Sequence, residues 1–300
     1  MPLVSVCMPV YNAERYVAEA VESILGQTFG DFEFLIIDDG STDGSRRILE
    51  SFAARDPRIR LVSRPNTGYV VALNEMLGMA RGELIARMDA DDVAMPGRFE
   101  RQAAYLREHP EVVAVGTSLV IIDPHGAPLA EKHLPEAHET IEKILFETDL
   151  AICHPSAMIR RDALLQLGGY KPEYCPAEDI DLWLRLAEVG RLANVPEVLI
   201  RYRQHMQSMG NSQRARQEKG AWLAVAHARQ RRGLADEGTA AAVSRARPNP
   251  SEVDQMCKWA WWALASGHIR TARAYALRCS YRRPFSVNSW RVLYCALRGR

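Results

Sequence analysis

Short apolar runs alternate with helical periodicities through the first third of the chain. Val4 to Pro9 reads as a buried strand, and Glu14 to Gln27 as a helix with Val17, Val21, Ile24 and Leu25 on one face. Phe32 to Asp38 is a second strand, closed by the turn sequence Asp39-Gly40-Ser41-Thr42-Asp43-Gly44. Helix, strand, helix and strand follow at Ser45 to Arg55, Ile59 to Ser63, Val70 to Ala80 and Leu84 to Met88. This alternation predicts an α/β fold, a mostly parallel, Rossmann-like sheet covered by helices. Right-handed crossovers then gather the strand C-terminal ends along one edge, where open α/β sheets bind ligands. Beyond Asp92 the pattern loosens. Arg98 to His109 and Ile180 to Val189 read as helices, and Val112 to Ile122 and Ala157 to Arg160 as strands. From Gln213 onward only helical patterns remain. They predict two parts, a catalytic domain over 1–212 and an all-helical C-terminal region over 213–300.

Charge supports that division. Residues 213–300 hold 17 Lys+Arg against 5 Asp+Glu, whereas residues 1–212 hold 21 against 32, although the whole chain of 300 residues is close to neutral at +1. With 47% hydrophobic and 25% charged residues, the composition is that of a folded globular protein. No apolar run approaches the length of a membrane span, and the first strand begins too early to leave a signal peptide. The six cysteines show no CxxC spacing, which predicts a reduced, cytoplasmic setting.

Four constellations at the expected binding edge carry chemistry. Met8-Pro9-Val10-Tyr11-Asn12 ends the first strand, where the Tyr11 ring could lie against a nucleobase; the alternative is a helix entry capped by Asn12. Asp38-Asp39 end the second strand, where a carboxylate could accept from a ribose hydroxyl or simply shape a turn. Asp89-Ala90-Asp91-Asp92 places three carboxylates within four residues at a strand end. They repel one another unless a cation neutralises them, and oxygen-rich sites suit Mg²⁺ or Mn²⁺. Glu178-Asp179 precedes an apolar helix and reads either as its cap or as a general base. A histidine at 205, closing Tyr202-Arg203-Gln204-His205, could complete a Mn²⁺ site.

Seven segments in order resemble the family 2 glycosyltransferases with the GT-A fold. They are VSVCMPVYNAERYVAEAVESILGQTF, FEFLIIDDGSTDGS, RPNTGYVVALNEML, ARGELIARMDADDVAMPGRFERQ, LGGY, AEDIDLWLRLAEVG and RYRQH, between residue 3 and about residue 208. The resemblance implies an inverting enzyme that uses a nucleotide diphosphate sugar, by family analogy a UDP-sugar, with Mn²⁺ or Mg²⁺. It implies that Pro9, Tyr11, Asp39, Asn66, Gly68 and Asn74 lie at or near the nucleotide. Asp89, Ala90 and Asp91 match the DxD motif at the nucleotide and metal, with Asp91 the direct metal ligand, Asp89 a nucleotide contact beside it and His205 completing the site. Asp179 matches the catalytic base, with Glu178 next to it, and His154 falls in a loop lining the cleft. Leu73 stands where many relatives carry a basic residue, so no phosphate-binding cation is assigned there.

These readings predict transfer of a sugar to a hydroxyl of a saccharide or lipid-linked saccharide, in synthesis of a bacterial surface polysaccharide. A sugar nucleotidylyltransferase is the first rival, but MPVYNAERY is not the glycine-rich basic loop that a triphosphate needs. A catalytically inactive sugar-nucleotide scaffold is the second. Nucleic acid is not an expected partner, because the basic region shows no motif for it. That region holds Trp259, Trp261, Trp262, Tyr275, Tyr281, Phe285, Trp290 and Tyr294. Its aromatics either pack onto the catalytic domain or, with the arginines, rest on an anionic membrane, which would place the enzyme peripherally on the inner face of the cytoplasmic membrane.

Overall fold

A computed structural model describes residues 1–235 and 247–299. In chain order, β1 (Val4–Val10), α1 (Val17–Leu25), β2 (Phe32–Asp38), α2 (Ser45–Ala53), β3 (Ile59–Ser63), α3 (Tyr69–Met79) and β4 (Leu84–Arg87) form the alternating unit that the apolar pattern predicts. Then come β5 (Val93–Ala94), α4 (Arg98–Glu108), β6 (Val112–Ile122), β7 (Pro128–Lys132), α5 (His138–Phe146), β8 (Met158–Arg160), α6 (Arg161–Gln166), α7 (Glu178–Leu186) and β9 (Arg191–Arg203). Two further helices, α8 (Met209–Ser212) and α9 (Arg214–Arg231), precede three C-terminal ones at Glu252–Ala265, Ile269–Arg282 and Val287–Arg298.

One sheet runs β3-β2-β1-β4-β8-β6-β9-β5, with β7 paired to β6. Pairing is parallel from β3 to β4, and antiparallel where β8 joins β4 and β6. The sheet is therefore mixed, its parallel character confined to the first four strands and to the β6–β9 pair. Both faces are covered. Phe32, Phe34 and Ile36 of β2 enter the apolar layer under α1, α2 and α4, while Leu35 and Ile37 enter the layer under α3 and α7. That period of two is why β2 reads as a continuous apolar run.

Two helix starts differ from the expected ones. The first helix begins at Val17 rather than Glu14, because Glu14 braces the turn that follows β2. Its backbone N–H donates to Asp43 Oδ2 at 3.0 Å, and its own Oε2 accepts from the Gly44 N–H at 2.9 Å. Asn12 is likewise no helix cap. It adopts a left-handed φ of 49° and accepts from the Thr42 N–H at 2.8 Å. The second difference is α7, which starts at Glu178, so Glu178 and Asp179 form its first turn instead of preceding it.

The C-terminal part packs on the sheet unit in two places. The small face of α9, Ala224, Val225 and Ala228, joins the α3/α7 layer. Arg231 and Arg232 at its end pair with Glu188 and Glu142. The helix Glu252–Ala265 lies along β7. Trp259 and Tyr275 are buried there, and the Tyr275 hydroxyl donates to Asp123 Oδ2 at 2.8 Å.

Candidate active site

The C-terminal ends of β1 and β4, the start of α7 and the end of β9 surround one cleft of about 1100 Å³. Pro9, Tyr11, Asp89, Ala90, Asp91, His154, Glu178, Asp179 and His205 all line it. Tyr11 is half exposed at 52%, leaving its ring available to a planar ligand.

Two arginines shape the acidic turn. Arg87, buried on β4, ion-pairs with Asp89 at 2.7 Å. Arg203, buried at the end of β9, donates its backbone N–H to Asp92 Oδ1 and its Nε–H to the Asp91 carbonyl, both at 2.7 Å. His205, two residues on, is thereby brought to Asp91, with Nε2 and Oδ2 2.8 Å apart. Its ring stacks on Tyr16 at 5.2 Å between centroids. Carboxylate oxygens of Asp89, Asp91 and Asp92 lie within 4.8 Å of one another, and Asp92 Oδ2 is buried without a partner among the described residues. Burial and the neighbouring Asp91 charge push Asp89 upward against the pull of Arg87. Asp92, more deeply placed, is pushed up further by burial and the same two acids.

Glu178 and Asp179 face the same cleft. Burial, with the Asp179 charge beside it, raises Glu178 to about 7; burial raises Asp179 to about 6. The Tyr69 phenol, at the start of α3, donates to Glu178 Oε2. Asp179 Oδ1 accepts only a local bond, from the Ile180 N–H at 2.9 Å. A carboxylate tuned towards neutrality suits a general base that works near pH 7.

Four residues implied at or near the nucleotide, Asp39, Asn66, Gly68 and Asn74, lie outside the cleft lining in this structure. Asp39 is 2% exposed and accepts from the Thr67 and Gly68 N–H groups at 3.1 and 2.8 Å, with Arg64 3.1 Å away. It thus fixes the loop that carries Asn66 and Gly68, and none of the three lines the cleft. Gly68 has φ 99°, and Gly40 at φ 80° leaves no room for a side chain beside Asn66 N. Asn74 likewise stays behind the cleft. Its amide donates to the Tyr170 carbonyl and accepts from the Tyr170 N–H, both at 2.8 Å. The Tyr170 hydroxyl lies 3.0 Å from His154 Nε2. Burial and the Arg87 charge hold His154 well below the usual histidine range, so the imidazole is neutral.

Reading by element missed Tyr69, Arg87 and Arg203 as parts of the site, whereas Asp92 was read within the acidic run.

An acid-lined cleft at the strand ends of a doubly covered α/β sheet defines an enzyme class that handles charged ligands. Within it, the chain belongs to glycosyl transferase family 2, whose model matches residues 5–168. EpsE of Bacillus subtilis (strain 168) is 39% identical over 208 residues, 68% of this chain and 73% of its own. The O-antigen biosynthesis glycosyltransferase WbnJ of Escherichia coli is 34% identical over 217 residues, 71% of this chain and 84% of its own. Among solved structures, S. aureus TarS 1-349 in complex with UDP-GlcNAc has a TM-score of 0.64 at 19% identity, covering 99% of this chain and 92% of that one. The mannosyltransferase PcManGT from Pyrobaculum calidifontis, in complex with GDP-Man and Mn²⁺, has a TM-score of 0.58 at 20% identity, covering 99% of this chain and 85% of that one. These two likenesses support the GT-A fold. Among the described residues no helix is long and apolar enough to cross a membrane.

Proposed function

We propose that this glycosyltransferase is inverting and depends on Mn²⁺ or Mg²⁺, and that it moves a sugar from a UDP-sugar to a hydroxyl of a saccharide or lipid-linked saccharide. The observation that carries the reading is the acidic turn Asp89–Asp92 sharing one cleft with the carboxylate pair Glu178–Asp179. A divalent cation fits the donor set. Three carboxylates converge, and the buried Asp92 Oδ2 lacks any partner among the described residues. Asp91 and Asp89, with His205, are the residues proposed to hold it. The cation supplies charge neutralisation for a departing nucleoside diphosphate. Tyr11, Pro9 and Ala90 form the wall against which the nucleotide lies. Asp39, Asn66, Gly68 and Asn74 act from behind it, by fixing the loop and the helix that border the cleft. Asp179 takes the proton of the acceptor hydroxyl, whose oxygen attacks the anomeric carbon from the side opposite the leaving phosphate, so the configuration inverts. Tyr69 holds Glu178 in place beside it.

WbnJ, named for O-antigen biosynthesis, supports a place in bacterial surface polysaccharide assembly. On this reading catalysis belongs to residues 1–212, and residues 213–300 place the enzyme at the inner face of the cytoplasmic membrane. The test is a thermal-shift screen of UDP- and GDP-sugars with and without Mn²⁺. A donor present at a hundred times its Kd stabilises by ~2.7 kcal/mol. A shift with GDP-sugars alone, or an equal shift in chelator, overturns the donor or the metal assignment respectively.

A further inference from the structure

The last two helices expose a second apolar face. On Val287–Arg298, Ser289, Val292, Leu293 and Ala296 are buried against the rest of the chain. Val287, Trp290, Tyr294 and Leu297 recur at spacings of three and four on the opposite side, with exposures of 83%, 53%, 60% and 57%. Phe285, in the turn before this helix, is 98% exposed, and Tyr281, at the end of the preceding helix, 88%. Six large apolar side chains on neighbouring turns exceed the scattered exposure normal for a protein surface.

Charge decides what covers them. After Asp254 the sequence contains no Asp or Glu, whereas residues 255–300 contain nine Lys and Arg. Two of these cations are engaged nearby, Arg282 with Glu252 and Arg283 with Asp254. Arg270, Arg278, Arg291 and Arg298 have no carboxylate partner among the described residues. Arg278 and Arg291 instead lie over the rings of Tyr275 and Trp261. An apolar face ringed by unneutralised arginines disfavours a second copy of itself, since the two surfaces would repel. It suits an anionic sheet of headgroups, where aromatic rings sit at the interface and guanidinium groups meet phosphate.

We propose that the face made by Tyr281, Phe285, Trp290 and Tyr294, with Arg278, Arg291 and Arg298 around it, docks on an anionic phospholipid bilayer. This deepens the proposed reading by naming the surface through which the enzyme meets its membrane, and rests on that reading only for the lipid-linked acceptor. The face is coupled to the catalytic unit through Tyr275, which bonds Asp123. Asp123 heads the turn whose Pro124 carbonyl accepts from Arg15, a cleft-lining residue.

The test is flotation of the full chain with vesicles of phosphatidylcholine alone or mixed with phosphatidylglycerol, at low and high salt. The wild type should float with the mixed vesicles at low salt, and less so at high salt. Arg291→Glu should weaken partition by more than about fivefold, since each basic residue near an anionic surface contributes about that factor. The triple variant Phe285→Ser, Trp290→Ser, Tyr294→Ser should stay in solution while keeping the wild-type melting temperature and donor-induced thermal shift. Failure of the wild type to float overturns the proposal, as does equal flotation of the triple variant. Lipid-free dimerisation abolished by the same three changes would assign the face to a second copy and overturn it too. No sugar substrate enters the flotation, so failure of the wild type to float leaves the reading of the cleft standing.

Discussion

Glu178→Gln should make the protein more stable, and increasingly so as the pH rises. Glu178 is 4% exposed and bonded to Tyr69. Burial and the adjacent Asp179 lift it from 4.5 to about 7. Below pH 4.5 the folded and unfolded chains both keep this proton, and its ionisation costs nothing. Between 4.5 and about 7 the unfolded chain releases the proton while the folded chain retains it, so stability falls as pH rises. Above about 7 the loss is complete. At ~1.36 kcal/mol per pH unit, the displacement corresponds to about 3 kcal/mol. Glutamine does not titrate, and its amide oxygen can still accept from the Tyr69 phenol. The variant should therefore match the wild type near pH 4.5 and exceed it by ~3 kcal/mol at pH 8, or ~5 °C in Tm for a chain of this length. The assay is thermal denaturation in excess chelator, without donor, from pH 5 to pH 8. A Tm difference that stays constant over that range, or a variant less stable at pH 8, refutes the reasoning. The gain should come with lost transfer, as when a site is held in a strained state for function.

Asp179→Asn keeps the shape of the first turn of α7 but cannot take a proton; transfer should fall ~10²–10⁴-fold with donor affinity nearly intact, and survival within a few-fold would leave Asp179 a structural residue. Because Asp179 works only when ionised and is raised to about 6, transfer should decline as pH drops through about 6 rather than near 4, as read from kcat against pH. Asp91→Asn should abolish both transfer and its dependence on Mn²⁺, and full activity of the wild type in excess chelator would refute the metal assignment. Asn74→Leu removes both bonds to the Tyr170 backbone and should destabilise by ~1–3 kcal/mol in chemical denaturation. It should also lower kcat more than donor affinity, because Tyr170 and His154 lose their anchor.

The parallel half of the fold was legible because β1, β2 and β4 are buried on both faces and are separated by amphipathic helices. The second half was not. β9 carries Pro196, which reads as a break; the strand tolerates it at an irregularity, where its register with β6 slips between Val195 and Val198. β5 has only two residues, and its partner β9 is remote in sequence. The acidic residues of the site stood out because carboxylates at strand ends need a reason. Arg87, Arg203 and Tyr69 did not, since periodicity gives the face of a strand or helix and not what lies across from it. Asp39 and Asn74 show the converse. By resemblance Asp39 matches a nucleoside-contacting position and Asn74 the helix behind the nucleotide loop; in the structure both side chains bond backbone N–H or carbonyl groups of neighbouring loops. For the C-terminal aromatics, packing and exposure were both open from sequence. The structure divides them, with Trp259 and Tyr275 inside and Tyr281, Phe285, Trp290 and Tyr294 outside.

The two carboxylate groups of the cleft share one electrostatic problem. Two unit charges at most 4.8 Å apart repel by ~3.5 kcal/mol or more at an effective dielectric constant of about 20. Asp89, Asp91 and Asp92 contain three such pairs, and among the described residues the one guanidinium in direct contact with a carboxylate of the turn is that of Arg87, on Asp89. Without a cation, burial and like charge raise the carboxyls of Asp89 and Asp92. A divalent cation answers the same problem without protons, and on the proposed reading it competes with them for the same oxygens. Among the described residues the Glu178–Asp179 pair belongs to no cluster of three carboxylates that could hold a cation, so its raised carboxyls remain available to exchange protons. One cleft thus separates a group of acids suited to binding a cation from a pair suited to taking a proton. The number of converging oxygens draws that line, since burial is common to both.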